Sequence, residues 1–95
     1  MRYFVYRVDK PGTQALRQQT RPAHLDYSAT LGESLVFAGP TFGEDGKTMD
    51  ASVWVIEADS MAEAERITAA DPYEKVDLFE SKLIKPFLQV VPEVK

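Results

Sequence analysis

Residues 2–8, Arg-Tyr-Phe-Val-Tyr-Arg-Val, limit the possible folds more than any other stretch of the chain. Side chains of an extended strand point alternately to the two faces of a sheet. Phe4, Tyr6 and Val8 fall on one face and Tyr3 and Val5 on the other, so this strand is apolar on both. Ser52-Val-Trp-Val-Ile-Glu-Ala58 repeats the pattern, with Trp54 and Ile56 alternating with Val53 and Val55. A chain of 95 residues is expected to form one domain over residues 1–95. Whatever else it builds must cover both faces of such a sheet.

Lys10-Pro11-Gly12 closes the first strand with a turn signal, and residues 13–31 then read as helix. Leu16, Ala23, Tyr27 and Leu31 mark its apolar stripe, Pro22 implies a kink or a new start near Arg21, and Gly32 is a natural stop. Residues 34–39 read as a short strand ending at Gly39-Pro40, and Asp45-Gly46 reads as the turn leading to the strand around Trp54. Ser60 and Glu63 form a capping box that opens a second helix, with Met61, Ala64, Ile67 and Thr68 on one face. Asp71-Pro72 ends that helix. A last strand is expected within 78–90, with Pro86 pointing to an edge or a bulge.

The order strand, helix, strand, strand, helix, strand is the α+β, ferredoxin-like βαββαβ arrangement. It predicts a four-stranded antiparallel sheet with two helices on one face. The other face would expose a patch of Tyr, Trp and Val larger than soluble monomers normally tolerate. Packing two copies sheet to sheet solves this, so a homodimer, a dimeric α+β barrel, is expected. The alternative is that the C-terminal tail, residues 90–95, folds back over the sheet.

Composition excludes several function classes. Fifteen acidic against 11 basic side chains leave a net charge of -4, and no Lys/Arg cluster is present to meet phosphates. No nucleic acid and no membrane are therefore expected as partners, although the strand order also fits a ferredoxin-like RNA-binding domain. With no cysteine and a single histidine, the chain offers no zinc or transition-metal shell, and no metal or cofactor is expected. No apolar run reaches spanning length and the first residues read as strand rather than signal peptide, which fits a cytoplasmic protein.

Two residues stand out as chemistry. His24 lies roughly 65° from the centre of the Leu16/Ala23/Tyr27/Leu31 stripe, at the flank of the buried face. There it is either a boundary residue bonded to a carbonyl or an acid/base group reaching a cavity. Asp71 falls on the inward side of the second helix if that helix is extended by one turn. Yet Asp71-Pro72-Tyr73-Glu74 is also a cap signature of its own. One oxygen could cap while the other meets a histidine, which would fix the imidazole tautomer and leave the second ring nitrogen to move protons. Ser28, one turn after His24, is the serine placed to join such a site, and Phe42 and Tyr73 are candidates for its wall.

At these residues the chain resembles the YCII-related family, along essentially its whole length. The resemblance rests on Arg21-Pro22-Ala23-His24-Leu25-Asp26-Tyr27, Gly32, Gly39-Pro40, Asp45-Gly46, Ser60 with the Glu/Ala-rich helix after it, and Asp71-Pro72-Tyr73. Lys85-Pro86-Phe87 matches that pattern only loosely. The resemblance implies a dimeric α+β barrel and an active-site pair on His24 and Asp71. It also implies small organic substrates, including a dehydrochlorinase-like elimination on a hydroxylated aromatic ring. A cofactor-independent lyase- or isomerase-like enzyme is therefore one expectation. A non-catalytic module for small-ligand binding or dimerisation is the other.

Overall fold

The computed structural model describes residues 1–93. Strand β1 (Arg2–Asp9) is followed by helix α1 (Gln14–Thr30), a 3-10 turn at Gly32–Ser34, strand β2 (Leu35–Phe42) and strand β3 (Met49–Glu57). Helix α2 (Met61–Ala69), the short helix α3 (Pro72–Lys75) and strand β4 (Phe79–Phe87) complete the order. The sheet is antiparallel throughout, in the order β2-β3-β1-β4. This is the expected α+β, ferredoxin-like arrangement with α3 added. Among the described residues no helix is long and apolar enough to cross a membrane.

The two apolar-on-both-faces strands lie side by side at the sheet centre, Val5 opposite Trp54 and Phe4 opposite Val55. Tyr3, Val5, Trp54 and Ile56 form the buried core with Ala58 and Ala64, and Tyr27, Leu31, Met61 and Ile67 of the helices pack on it. Alternation then sends Phe4, Tyr6, Val53 and Val55 to the opposite face. Cross-strand pairing adds Phe37, Leu83 and Phe87 to them. Phe37 is 54% exposed and Leu83 48% exposed. The tail does not shield this face among the described residues, since Val90 and Val91 are themselves 70% and 86% exposed. Val94 and Lys95, the end of that expected cover, lie outside the described residues.

Three local expectations change. Gly39-Pro40 does not end β2, which runs on to Phe42. A proline is tolerated there because β2 is an edge strand and Pro40 need not donate to a second neighbour. Helix α1 passes through Pro22 without a new start. Pro22 and Gln18, whose carbonyl loses its usual partner, both face solvent, so water can serve that carbonyl. The buried stripe of α1 also differs, since Ala23 is exposed while Arg17 and His24 are buried. With Tyr27 and Leu31 these form the spacings seven, three and four of a single helical face. His24 therefore sits at the centre of the stripe and not on its flank.

The punctuation behaves as its chemistry demands. Ser60 Oγ accepts from the Glu63 N–H at 3.1 Å, and the Glu63 carboxylate reaches back to the Asp59 N–H at 3.0 Å. In the β2–β3 hairpin, Gly46 takes the left-handed φ of +67° that a side chain would resist. Hydrogen bonds from the Thr48 hydroxyl and the backbone N–H groups of Thr48 and Lys47 lower the Asp45 carboxyl to about 2. Pro86 does fall in an edge strand, β4.

Candidate active site

Two inward-pointing positions on β1 and α1 carry arginine where apolar residues would be expected. Arg7 follows Tyr3 and Val5 on the helix-facing side of β1 and is fully buried. Its guanidinium lies between aromatic rings, 4.5 Å from the Trp54 centroid and 4.7 Å from that of Phe79. A buried cation needs compensating charge. Asp71 Oδ2 is 2.9 Å from one terminal nitrogen, and Glu74 Oε2 accepts from the other at 2.8 Å. The Arg7–Asp71 approach is close but poorly aligned, so among the described residues Arg7 Nε and Nη2 and Asp71 Oδ2 lack a hydrogen-bond partner. The attraction is that of two charges rather than of a directed bond.

Asp71 is fully buried and serves two other groups at the same time. As N-cap of α3 its side chain accepts from the Tyr73 N–H at 3.0 Å. The same oxygen, Oδ1, meets His24 Nδ1 at 2.8 Å. Cap and histidine partner are thus combined on one oxygen, while the other faces Arg7. Burial alone would push this carboxyl up. The hydrogen bond with His24, the Arg7 guanidinium and the Tyr73 N–H outweigh it and hold Asp71 below the usual carboxylate range.

An ionised Asp71 can only accept, so His24 presents Nδ1–H to it and keeps the lone pair on Nε2. Nε2 makes no hydrogen bond among the described residues. The imidazole stacks on Tyr73 at 4.0 Å between centroids and lies 5.8 Å from Trp54. It lines a cavity of about 170 Å³ between α1, β2 and β3. Arg17, Arg21, Ser28, Ser52 and Tyr73 line it as well.

Of the residues chosen from sequence, His24, Asp71 and Tyr73 come together, and Ser28 shares the cavity wall. Ser28 Oγ donates to the His24 carbonyl at 2.8 Å, so its proton is engaged within the helix. Phe42 is not among the lining residues. It sits at the end of β2, beyond a register shift, and is 48% exposed. Arg7, Arg17 and Ser52 were not singled out from sequence. A signal existed for the first two: Arg7 continues the Tyr3/Val5 alternation, and Arg17 lies seven residues before His24 on one face.

The family model of the YCII-related domain matches residues 1–88. The chain belongs to the YCII-related family. Protein YciI of Escherichia coli O6:H1 (strain CFT073) is 32% identical over 97 residues, covering 95% of this chain and 99% of that protein. Among solved structures, the 5-chloro-2-hydroxyhydroquinone dehydrochlorinase TftG of Burkholderia phenoliruptrix, in complex with 2,5-dihydroxybenzoquinone, superposes with a TM-score of 0.87. It is 31% identical, with 95% of this chain and 96% of that chain covered. Protein Atu4242 of Agrobacterium tumefaciens, 16% identical with a TM-score of 0.54 over 97% and 96% of the two chains, shares the fold. A YCII-related chain with this fold thus has, as a near neighbour, an enzyme acting on a hydroxylated aromatic molecule.

Proposed function

We propose that this YCII-related protein is a cofactor-independent enzyme acting on a small organic molecule, with a hydroxylated aromatic ring as the favoured class. His24 is its general acid/base and Asp71 the partner that orients it, while Ser28 and Tyr73 contribute to the cavity wall. The observation that carries this reading is the buried 2.8 Å contact between His24 Nδ1 and Asp71 Oδ1, beside a cavity that the imidazole lines. The activity of TftG supports the substrate class.

Such a pair suffices for a lyase- or isomerase-type reaction. Nε2 takes a proton from a ring hydroxyl or an adjacent carbon, and the freed electron pair forms a new double bond. In an elimination from a hydroxylated ring the imidazolium first returns that proton to the ring carbon bearing the leaving group X, making it sp3. Loss of a second hydroxyl proton then expels X with its bonding pair, so H–X is lost, a quinone forms and no electron acceptor is required. In an isomerisation the imidazolium returns the proton at a different atom. General acid–base catalysis of this kind contributes about 10²–10⁴-fold. His24→Gln should lower turnover of a hydroxylated aromatic substrate by at least that factor, while circular dichroism and molecular mass stay unchanged. Activity surviving the change would remove His24 from the chemistry.

The exposed face bearing Phe37, Leu83 and Phe87 supports a homodimer closed sheet to sheet. Light scattering at micromolar concentration should give twice the 10.7 kDa chain mass, and a monomer would sink this part of the reading. One observation favours a second reading as a non-catalytic ligand-binding or dimerisation module: Asp71 Oδ1 is also the cap of α3, which gives it a structural role. A His24 signal in NMR that responds to neither pH nor small ligands would select that module.

A further inference from the structure

The chain is acidic, but the carboxylates nearest the His24 cavity are already paired. Asp71 faces Arg7 and His24, and Asp9 is held by Arg17 through two hydrogen bonds of 2.7 and 2.9 Å. Arg17 is thereby neutralised. Arg21, one turn further along α1, lines the same cavity, is exposed, and makes no ion pair among the described residues. The cavity therefore has one uncompensated cation.

Ser52 supplies the second observation. It is 4% exposed, in the strand that also carries Trp54, and it lines the cavity. Arg17 Nη2 donates to its Oγ at 2.7 Å. A guanidinium can only donate, so Ser52 is the acceptor in that bond and its own hydroxyl proton is not used there. No other hydrogen bond of Ser52 Oγ exists among the described residues. A buried hydroxyl whose oxygen is polarised by an arginine is a strengthened donor, because successive hydrogen bonds reinforce one another in a low-dielectric interior. Size completes the picture. Drug-sized ligands occupy sites of about 300–1,000 Å³, whereas an apolar cavity of about 150 Å³ accommodates benzene. The present 170 Å³ suits one ring and its substituents.

We propose that Ser52 and Arg21 form an anion subsite in the His24 cavity, selecting single-ring molecules that carry an ionised oxygen such as a phenolate, enolate or carboxylate. Arg17 acts as the positioning residue that fixes Ser52, with Asp9 anchoring Arg17. The inference deepens the acid/base reading and rests on it for the identity of the site. In that setting the subsite holds the oxygen on which negative charge sits or develops while His24 carries the proton.

The test uses Trp54, the chain's single tryptophan, which lines the cavity and reports its occupancy by fluorescence. The full-length protein is titrated with benzoate and with benzamide, which match in shape and differ in charge. Benzoate is expected to bind about tenfold more tightly, as a charge-assisted contact requires. Arg21→Gln, at an exposed position that leaves the fold alone, should abolish this preference without weakening benzamide. Ser52→Ala should weaken both ligands, benzoate more, with its melting curve recorded alongside. Equal binding of the two probes, no saturable signal in the millimolar range, or an unchanged preference in Arg21→Gln overturns the subsite. The two readings fail separately. A protein that prefers benzoate through Arg21 but turns over no hydroxylated aromatic keeps the subsite and loses the enzyme. One whose turnover depends on His24 but shows no anion preference does the reverse.

Discussion

Replacing Arg7 by methionine is expected to destabilise the protein by about 3–5 kcal/mol, the range for removing one partner of a buried ion pair. Methionine approximates the volume and keeps contact with Trp54 and Phe79, so the cost is mainly electrostatic. Asp71 would remain fully buried with its charge compensated only by His24 and the Tyr73 N–H, and Glu74 would keep Lys82 alone at 2.9 Å. Urea unfolding at neutral pH measures the loss directly.

Acid should narrow the gap between the two proteins. Asp71 has its folded pKa lowered, so its ionised form contributes stability above the unfolded value of about 3.9. That contribution disappears as pH falls through the lower folded value. The double variant Arg7→Met, Asp71→Asn should be more stable than Arg7→Met alone, because it removes the orphaned charge while asparagine keeps the α3 cap. A loss below about 1 kcal/mol for Arg7→Met, typical of an exposed pair, would mean that solvent already screens the Arg7–Asp71 contact.

This ion pair also marks where the sequence stops being legible. Period-two alternation in strands β1 and β3, and the caps at Ser60 and Asp71, encode the fold locally, which is why element order and sheet faces can be read directly. The burial of Arg7 and Arg17 is not local. A guanidinium enters a core only when carboxylates from other segments meet it, and Asp71 does so from the N-cap of α3 and Asp9 from the end of β1. Treating arginine as a surface residue displaced the apparent stripe of α1 toward Ala23, so His24 read as flanking. Phe42 failed differently: strand β2 continues through Gly39-Pro40, its register shifts beyond Thr41, and Phe42 is not among the residues that line the cavity. Ser52 carried no motif, because its role depends on which side chain donates to it in space.

Asp71→Asn tests what Asp71 does for His24. Oδ1 serves both the Tyr73 N–H and His24, so an asparagine that gives its oxygen to Arg7 and its NH₂ to that position also weakens the α3 cap, which circular dichroism and a melting curve record alongside activity. The imidazole changes as well. Beside a carboxylate, Nδ1 must carry the proton and Nε2 is free to act as base. An asparagine that turns its NH₂ toward Nδ1 reverses this, placing the proton on Nε2 and blocking the nitrogen that faces the cavity. In a Ser-His-Asp triad the equivalent change lowers kcat about 10⁴-fold through the wrong tautomer, and a loss of about 10³–10⁴-fold is expected here. Nitrogen NMR of the imidazole should show the proton moving from Nδ1 to Nε2, with or without a substrate in hand. If Asp71 were only a cap, activity and tautomer would both survive the substitution. Turnover within about tenfold of wild type, with Nδ1 still protonated, would therefore separate Asp71 from the chemistry while leaving its place in the fold intact.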